Sequence, residues 1–245
     1  MLPPDISYIL NELGEDREEY FNAVAPPIYQ TSNFAFKTVA DMRRAFEDEF
    51  SNLIYSKGMN PTVNILRKKL AALDNAEDCL VFNSGSSAIF ASVFANVQSG
   101  DHIVSVNRPY GWAQKLFDQV LPRFGVATTY VDGREIEAFE RAILPSTKII
   151  YLESPNSWDF VLQDLRAVAD LARAEGIITI CDNSYCTPLF QRPLDFGIDM
   201  SLQSATKYIG GHSDVVAGVL TGTQAMMKHV FNNAMQNAGN GISPF

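Results

Sequence analysis

Residues 177–207, IITICDNSYCTPLFQRPLDFGIDMSLQSATK, contain two short apolar runs, each followed by polar residues. The first run, 177–182, closes on Asp182, and the second, 200–204, leads into Lys207. Short apolar runs between turn signals are typical of strands that are buried on both faces of a sheet. We therefore interpret this stretch as two buried strands whose ends carry chemically active side chains.

The same pattern extends in both directions along the chain. Apolar runs alternate with segments of helical periodicity, such as 86–97, 112–124 and 164–176. This alternation indicates a mostly parallel sheet. The predicted fold is α/β, with about seven mostly parallel strands sandwiched by helices. The predicted strands are 79–82, 102–106, 126–131, 148–153, 177–182, 200–204 and 215–222.

Residues 1–58 form a different kind of segment, which we interpret as an extended N-terminal arm with one helix. Its part 24–34, VAPPIYQTSNF, is rich in proline, aromatic and hydroxyl residues. Thr38 has the pattern of a helix N-cap, and Asn60, followed by proline, has that of a second one. We expect the arm to cover a partner subunit and residues 59–245 to form a large α/β domain.

Composition narrows the classes of function. The 245 residues carry a net charge of -9 and no long run of Lys or Arg, which argues against nucleic-acid and anionic-membrane surfaces. The acidic N-terminus lacks the pattern of a signal peptide, and no apolar run approaches the roughly 20 residues of a membrane span. The three cysteines lack metal-ligand spacing. We expect a cytoplasmic protein without a metal site that handles small molecules.

Ligands of open α/β sheets bind beyond the carboxyl ends of the strands, so the residues after each apolar run are candidates for a site. We expect these residues to converge on one rim. At Gly85 and Ser86, small residues lie between a predicted strand and a predicted helix, and the amides of such a turn suit one phosphate group. A plain tight turn is the alternative interpretation.

Asp182 and Lys207 are the two strongest candidates on this rim. A buried carboxylate is costly unless it is paired, and one suitable partner is a protonated ring nitrogen. The alternative is that Asp182 caps the turn at Asn183 and Ser184. A lysine at a strand end, desolvated and near other charges, can act as a Schiff-base nucleophile, whereas an isolated lysine is usually a solvated surface residue.

Residues 181–214, CDNSYCTPLFQRPLDFGIDMSLQSATKYIGGHSD, closely resemble the signature of the trans-sulfuration enzymes, which depend on pyridoxal phosphate. This family of cysteine and methionine metabolism includes cystathionine lyases, cystathionine synthases and methionine γ-lyase. Counterparts also occur in order along most of the chain, among them APPIYQTSNF, YSKGMNPT, FNSGSSAI, PYG and TKIIYLESP. The resemblance is closest to bacterial cystathionine β-lyase and cystathionine γ-synthase.

The resemblance implies catalytic roles for three residues. Lys207 would hold pyridoxal phosphate as a Schiff base and remove the α-proton of the substrate. Asp182 would pair with the ring nitrogen of the cofactor. Tyr110 would stack on the ring and carry a proton.

The resemblance also implies a binding site for the phosphate group of the cofactor. Gly85 and Ser86 would offer backbone amides, and Ser204 and Thr206 would offer hydroxyl groups. Two further residues, Tyr55 and Lys57, match an element that reaches the phosphate in a neighbouring subunit, which implies a homo-oligomer.

The implied reaction is β-elimination by a carbon–sulfur lyase on a sulfur amino acid such as cystathionine. The stretch 153–157, ESPNS, resembles the bacterial cystathionine β-lyase version. Trp112 stands where methionine γ-lyases carry Cys, which disfavours that activity, and Lys57 replaces the usual Arg. γ-Elimination and γ-replacement are the alternatives.

Members of the family continue into a C-terminal domain that holds the substrate carboxylate, and this sequence lacks a counterpart. We therefore expect it to be a fragment of a longer enzyme. A protein that binds the cofactor without catalysis and a nucleotide-binding module are the rival interpretations.

Overall fold

A computed structural model describes residues 5–245, and its central feature is a seven-stranded sheet. The strands are β1 Asp78–Phe82, β2 His102–Val106, β3 Ala127–Val131, β4 Thr147–Glu153, β5 Ile178–Asp182, β6 Met200–Gln203 and β7 Gly218–Gly222. Their order across the sheet is β1-β7-β6-β5-β4-β2-β3. Every predicted strand is present, although residues 215–217 lie outside the last one.

The strand directions bring most of the carboxyl ends of the strands to one edge of the sheet. Strands β2 to β6 are parallel to their neighbours in this group, whereas β7 is antiparallel to both β6 and β1. Strand β1 therefore points the same way as the parallel group. The prediction of a mostly parallel α/β sheet is confirmed. The carboxyl ends of β1 to β6 and the amino end of β7 all face the same edge.

Helices cover both faces of this sheet. They are α1 Ile6–Asn11, α2 Val39–Phe46, α3 Pro61–Leu73, α4 Gly85–Phe94, α5 Gly111–Lys115, α6 Ile136–Ala142, α7 Leu165–Glu175, α8 Thr187–Phe190, α9 Gln224–Val230 and α10 Gln236–Ala238. Turns of π-helix extend α5 over Leu116–Val120 and α9 over Phe231–Met235. Across residues 5–245, no helix has the length and apolar character that crossing a bilayer requires.

Neighbouring residues of a strand face opposite helical layers. On β4, Tyr151 packs in the layer of α4, α5 and α9, whereas Leu152 packs in the layer of α6 and α7. Helix α3 covers Cys79 and Val81 of β1. Because helices cover both faces of the sheet, most of its strands are buried along nearly their whole length, whereas the edge strand β3 is more exposed.

The predicted helix starts are also present. Thr38 Oγ1 accepts a hydrogen bond from the Asp41 amide at 3.1 Å, and α2 follows. Asn60 Oδ1 accepts one from the Thr62 amide at 3.0 Å, at the start of α3.

The N-terminal arm contains more structure than the sequence predicted. Besides α2, it forms α1 and a 3₁₀ turn at Arg17–Tyr20. Lys69 of α3 donates to Glu15 Oε1 at 2.5 Å and to the Leu10 carbonyl at 2.7 Å, so the arm is tied to its own chain. The predicted contact of the arm with a partner subunit stays a prediction, and residues 1–4 lie outside the described part.

Candidate active site

A cavity of about 420 Å³ opens at the edge where the strand ends meet. Its wall is built from the segments that follow β1, β2, β4, β5 and β6, together with Val216 just before β7. The residues that follow the strands therefore converge on one rim of the sheet, as predicted. Seven of the nine predicted site residues line this cavity: Gly85, Ser86, Tyr110, Asp182, Ser204, Thr206 and Lys207.

One wall of the cavity is the start of α4. Ser84 is the N-cap of this helix, because its Oγ accepts the Ser87 amide at 3.2 Å. The first amides of a helix have no partner within the helix, and the helix dipole makes this end positive. Gly85 and Ser86 thus present an anion-binding surface to the cavity.

Two glycines allow the backbone to pack closely at this surface. A Cβ atom at Gly85 would lie 2.8 Å from Ser204 Cβ. A Cβ atom at Gly218, the first residue of β7, would lie 2.1 Å from the Ser84 carbonyl oxygen. The anion-binding turn is therefore held directly against the segments beside it.

We expect Gly218→Ala to lower the free energy of unfolding by about 3 kcal/mol, because the backbone at Ser84 has to move away from the new methyl group. Urea unfolding measures this change. Gly111→Ala is the matched control, since its Cβ would meet nothing within 4 Å, and we expect it to stay within about 0.5 kcal/mol of the unaltered protein. Equal stability of the two variants would contradict the close packing of Gly218 against the Ser84 backbone.

Two carboxylates lie side by side at the bottom of the cavity. Glu153 ends β4, Asp182 ends β5, and the two are register partners. Their residues are only 4% and 6% exposed. The Ser184 amide donates to Asp182 Oδ1 at 3.0 Å, so the turn-capping interpretation of Asp182 also applies. Within residues 5–245, neither carboxylate forms an ion pair.

This arrangement favours a cation in the cavity. Burial raises the pKa of Asp182 to about 7, and the neighbouring Glu153 carboxylate adds to the shift. Burial also raises the pKa of Glu153, although hydrogen bonds from Ser157 and Tyr110 oppose this effect. A positive charge placed beside Asp182 would lower its pKa again.

Tyr110 lies at the start of α5, on a wall next to the carboxylates. It is half-buried, and its amide donates to Glu153 Oε2 at 2.5 Å. The Ser157 amide donates to the other oxygen of Glu153 at 2.6 Å.

Lys207 borders the cavity in the turn that follows β6. Its amide donates to the Ser204 carbonyl at 3.0 Å, and the residue is exposed. Its role as a desolvated Schiff-base lysine stays a prediction. The predicted contribution of the Thr206 hydroxyl to phosphate binding also stays a prediction. In this structure, Thr206 Oγ1 accepts the Ala217 amide at 3.0 Å and donates to the Ala217 carbonyl at 3.2 Å. Thr206 thus ties the turn to the segment before β7.

Tyr55 and Lys57 do not line the cavity. Both are exposed, and Tyr55 forms an isolated antiparallel bridge with Asn33. Their predicted role in the site of a neighbouring subunit stays a prediction. Across residues 5–245, no group of three or more His, Cys, Asp or Glu is arranged to hold a metal ion.

Several cavity residues were not selected from the sequence. Tyr185 and Tyr208 form an aromatic border with ring centroids 5.8 Å apart. Six of the ten unselected residues lie in segments 83–86, 153–157 and 182–185, each at the carboxyl end of a predicted strand, so the sequence signal for these six was present. The unselected residues are Ser84, Ile89, Glu153, Pro155, Ser157, Ser184, Tyr185, Leu202, Tyr208 and Val216.

Curated relatives match most of this chain. L-methionine gamma-lyase of Treponema denticola is 41% identical over 228 residues, which are 92% of this chain and 57% of that protein. A probable cystathionine gamma-synthase of Herpetosiphon aurantiacus is 38% identical over 234 residues, 95% of this chain and 70% of that protein. O-succinylhomoserine sulfhydrylase of Pseudomonas aeruginosa is 38% identical over 218 residues, 89% of this chain and 54% of that protein.

The fold has a close counterpart among solved structures. The crystal structure of metB from Corynebacterium glutamicum matches with a TM-score of 0.91 and 31% sequence identity, over 99% of this chain and 61% of that one. The chain spans about half the length of most of the curated relatives it matches.

The match to a family model extends over residues 9–245, nearly the whole chain. That family is described as Cys/Met metabolism PLP-dependent enzyme, where PLP is pyridoxal phosphate. The chain therefore belongs to the pyridoxal-phosphate-dependent enzymes of cysteine and methionine metabolism.

Proposed function

We propose that the cavity binds pyridoxal phosphate, with Lys207 as the residue that holds it covalently. The anion-binding surface at Gly85 and Ser86, the Tyr110 ring, the Asp182 carboxylate and the lysine amine match the phosphate, flat ring, ring nitrogen and aldehyde of this cofactor. The main support for the proposal is Asp182, because a buried carboxylate at the bottom of a cavity, with no ion pair to any residue in 5–245, suits a protonated ring nitrogen.

Hydroxyl groups add to the binding of the phosphate. Ser86 and Ser204 lie on the same side of the cavity, since Ser204 packs against Gly85, and both can donate to an anion. Thr206, whose hydroxyl also holds the turn through Ala217, is the third proposed donor.

We propose that the reaction is β-elimination of a thiol from a sulfur amino acid such as cystathionine. When bound, pyridoxal phosphate stabilises the negative charge that develops at the α-carbon of an amino acid. The Lys207 amine removes the α-proton. Asp182, in its ionised form, holds a proton at the ring nitrogen. Tyr110 carries a proton to the leaving sulfur atom.

γ-Elimination or γ-replacement is the second candidate reaction. Two of the relatives, L-methionine gamma-lyase and probable cystathionine gamma-synthase, are named for the γ position. Trp112, whose presence disfavours methionine γ-lyase activity by resemblance, is 54% exposed and lies outside the cavity lining. Trp112 therefore does not narrow this cavity.

Incubation with pyridoxal phosphate and L-cystathionine separates the candidates by their products. β-Elimination with hydrolysis yields homocysteine, pyruvate and ammonia, whereas γ-elimination yields cysteine, 2-oxobutyrate and ammonia. We expect pyruvate. Cofactor binding without either keto acid would favour a catalytically idle protein, and stabilisation by nucleotides without a visible chromophore would favour a nucleotide-binding module.

We also propose a homo-oligomer in the cytoplasm, in which the arm of one subunit brings Tyr55 and Lys57 to the site of its neighbour. The exposure of both side chains leaves them available for this contact. The three cysteines are free thiols, which suits a reducing compartment. In this proposal the arm ends near residue 58 and the cofactor-binding domain begins at residue 59.

A further inference from the structure

Glu153 joins two segments of the cavity wall to the end of β4. One of its oxygens accepts the amide of Tyr110, which lies 43 residues earlier in the chain, and the other accepts the amide of Ser157. The carboxylate thus links the segment after β2 to the segment after β4. Loss of either bond would leave a buried polar group without a partner, so the position of the Tyr110 ring depends on Glu153.

Glu153 also places a second negative group beside Asp182. Register partners on neighbouring parallel strands lie about 4.8 Å apart and send their side chains to the same face of the sheet. Tyr151 lies below them on this face, and its pKa is raised well above the ordinary value, first by burial and then by Asp182 and Glu153. Two buried neighbouring carboxylates require a shared proton or a nearby cation.

We propose that Glu153 is a positioning residue, which fixes Tyr110 at the cavity and makes Asp182 depend on a cationic ligand. This inference rests on the proposed function, because the cation is the protonated ring nitrogen of pyridoxal phosphate. The other titratable groups that face or influence this pair are Tyr110, Tyr185, Lys207 and Tyr208 on the cavity wall, Tyr151 and Cys181 in the sheet, and Asp159 beyond Ser157.

The test is the pH dependence of pyridoxal phosphate binding to the cofactor-free protein, followed by visible absorbance. In the unaltered protein, affinity should rise with pH through about 7, because Asp182 has to ionise to hold the ring proton. Glu153→Gln keeps the size of the side chain but removes its charge and one acceptor. We expect this variant to lose about tenfold in affinity for pyridoxal phosphate at pH 8. The inflection of its affinity-versus-pH curve should lie at a lower pH than in the unaltered protein.

Two control variants separate charge from geometry. Glu153→Asp keeps the charge but shortens the side chain. Its affinity for pyridoxal phosphate should therefore fall, while the pH at which this affinity changes should stay the same. Asp199→Asn alters a carboxylate that accepts the Thr179 amide and hydroxyl, both at 2.8 Å, near the opposite end of β5. We expect this variant to keep both the affinity and the inflection.

The outcomes distinguish the inference from the proposed function. An unchanged inflection in Glu153→Gln would overturn the electrostatic role, and unchanged affinity in both Glu153 variants would overturn the positioning role. Urea unfolding of each cofactor-free variant shows whether the fold is retained. If the unaltered protein bound no pyridoxal phosphate, the proposed function itself would be wrong.

Discussion

Replacing Lys207 with alanine is expected to lower keto-acid release from L-cystathionine by at least about a thousandfold. Lys207 is the one lysine that lines the cavity in the described part of the chain, and it serves both to hold the cofactor and to remove the α-proton. Alanine retains the hydrogen bond from its amide to Ser204, so the turn should stay folded. Initial rates at saturating pyridoxal phosphate measure the effect.

Two further lysine variants make this result specific. Lys207→Arg keeps the positive charge but cannot form the covalent linkage, so it should be as inactive as the alanine variant. Lys228→Ala removes a surface lysine of α9 that pairs with Asp48 at 2.9 Å, and it should retain the activity of the unaltered protein. Turnover by Lys207→Ala at an undiminished rate would show that another amine does the chemistry.

Asp182→Asn is expected to have two opposite effects. Turnover should fall by at least about a hundredfold, because an amide cannot hold the ring proton as a carboxylate does. The cofactor-free protein should become more stable at neutral and alkaline pH. The folded pKa of Asp182 is about 7 against an ordinary 3.8, so the unaltered protein loses stability as pH rises from about 4 to 7. The loss is of the order of 4 kcal/mol.

Urea unfolding of the cofactor-free protein at pH 4, 6 and 8 measures this second effect. The advantage of Asp182→Asn should be small at pH 4, grow through pH 6 and be largest at pH 8. Asp101→Asn is the control, because Asp101 is also a buried carboxylate that accepts one amide, that of Gln98 at 2.8 Å, but lies outside the cavity. If Asp182→Asn were less stable than the unaltered protein at pH 8, the claim that Asp182 carries an uncompensated negative charge would be wrong.

The sheet could be predicted from the sequence because its strands are buried on both faces. In β4, Tyr151 and Leu152 pack in opposite layers, so residues 149–152 are apolar without alternation. The reversed direction of β7 could not be predicted, because residues 215–222 have the same apolar character as the parallel strands. The direction of β7 depends on how the connection between β6 and β7 folds back, where Thr206 and Ala217 exchange hydrogen bonds.

The candidate site was predictable where a polar residue directly follows an apolar run, as Asp182 does. Glu153 follows the same pattern, yet its contacts with Tyr110 and Ser157 depend on how the loops fold together. The exposure of Lys207 likewise follows from tertiary structure rather than from its neighbours in the chain. Residue type and strand position therefore identify candidates, whereas hydrogen-bond partners and burial require the three-dimensional arrangement.

The most direct test of the site is to locate the cofactor on the chain. Protein incubated with pyridoxal phosphate is reduced with borohydride and digested, and its peptides are analysed by mass spectrometry. We expect a single modified residue, Lys207. A modification on any other lysine, or no reducible adduct in protein that binds the cofactor, would contradict the assignment of Lys207 as the covalent anchor.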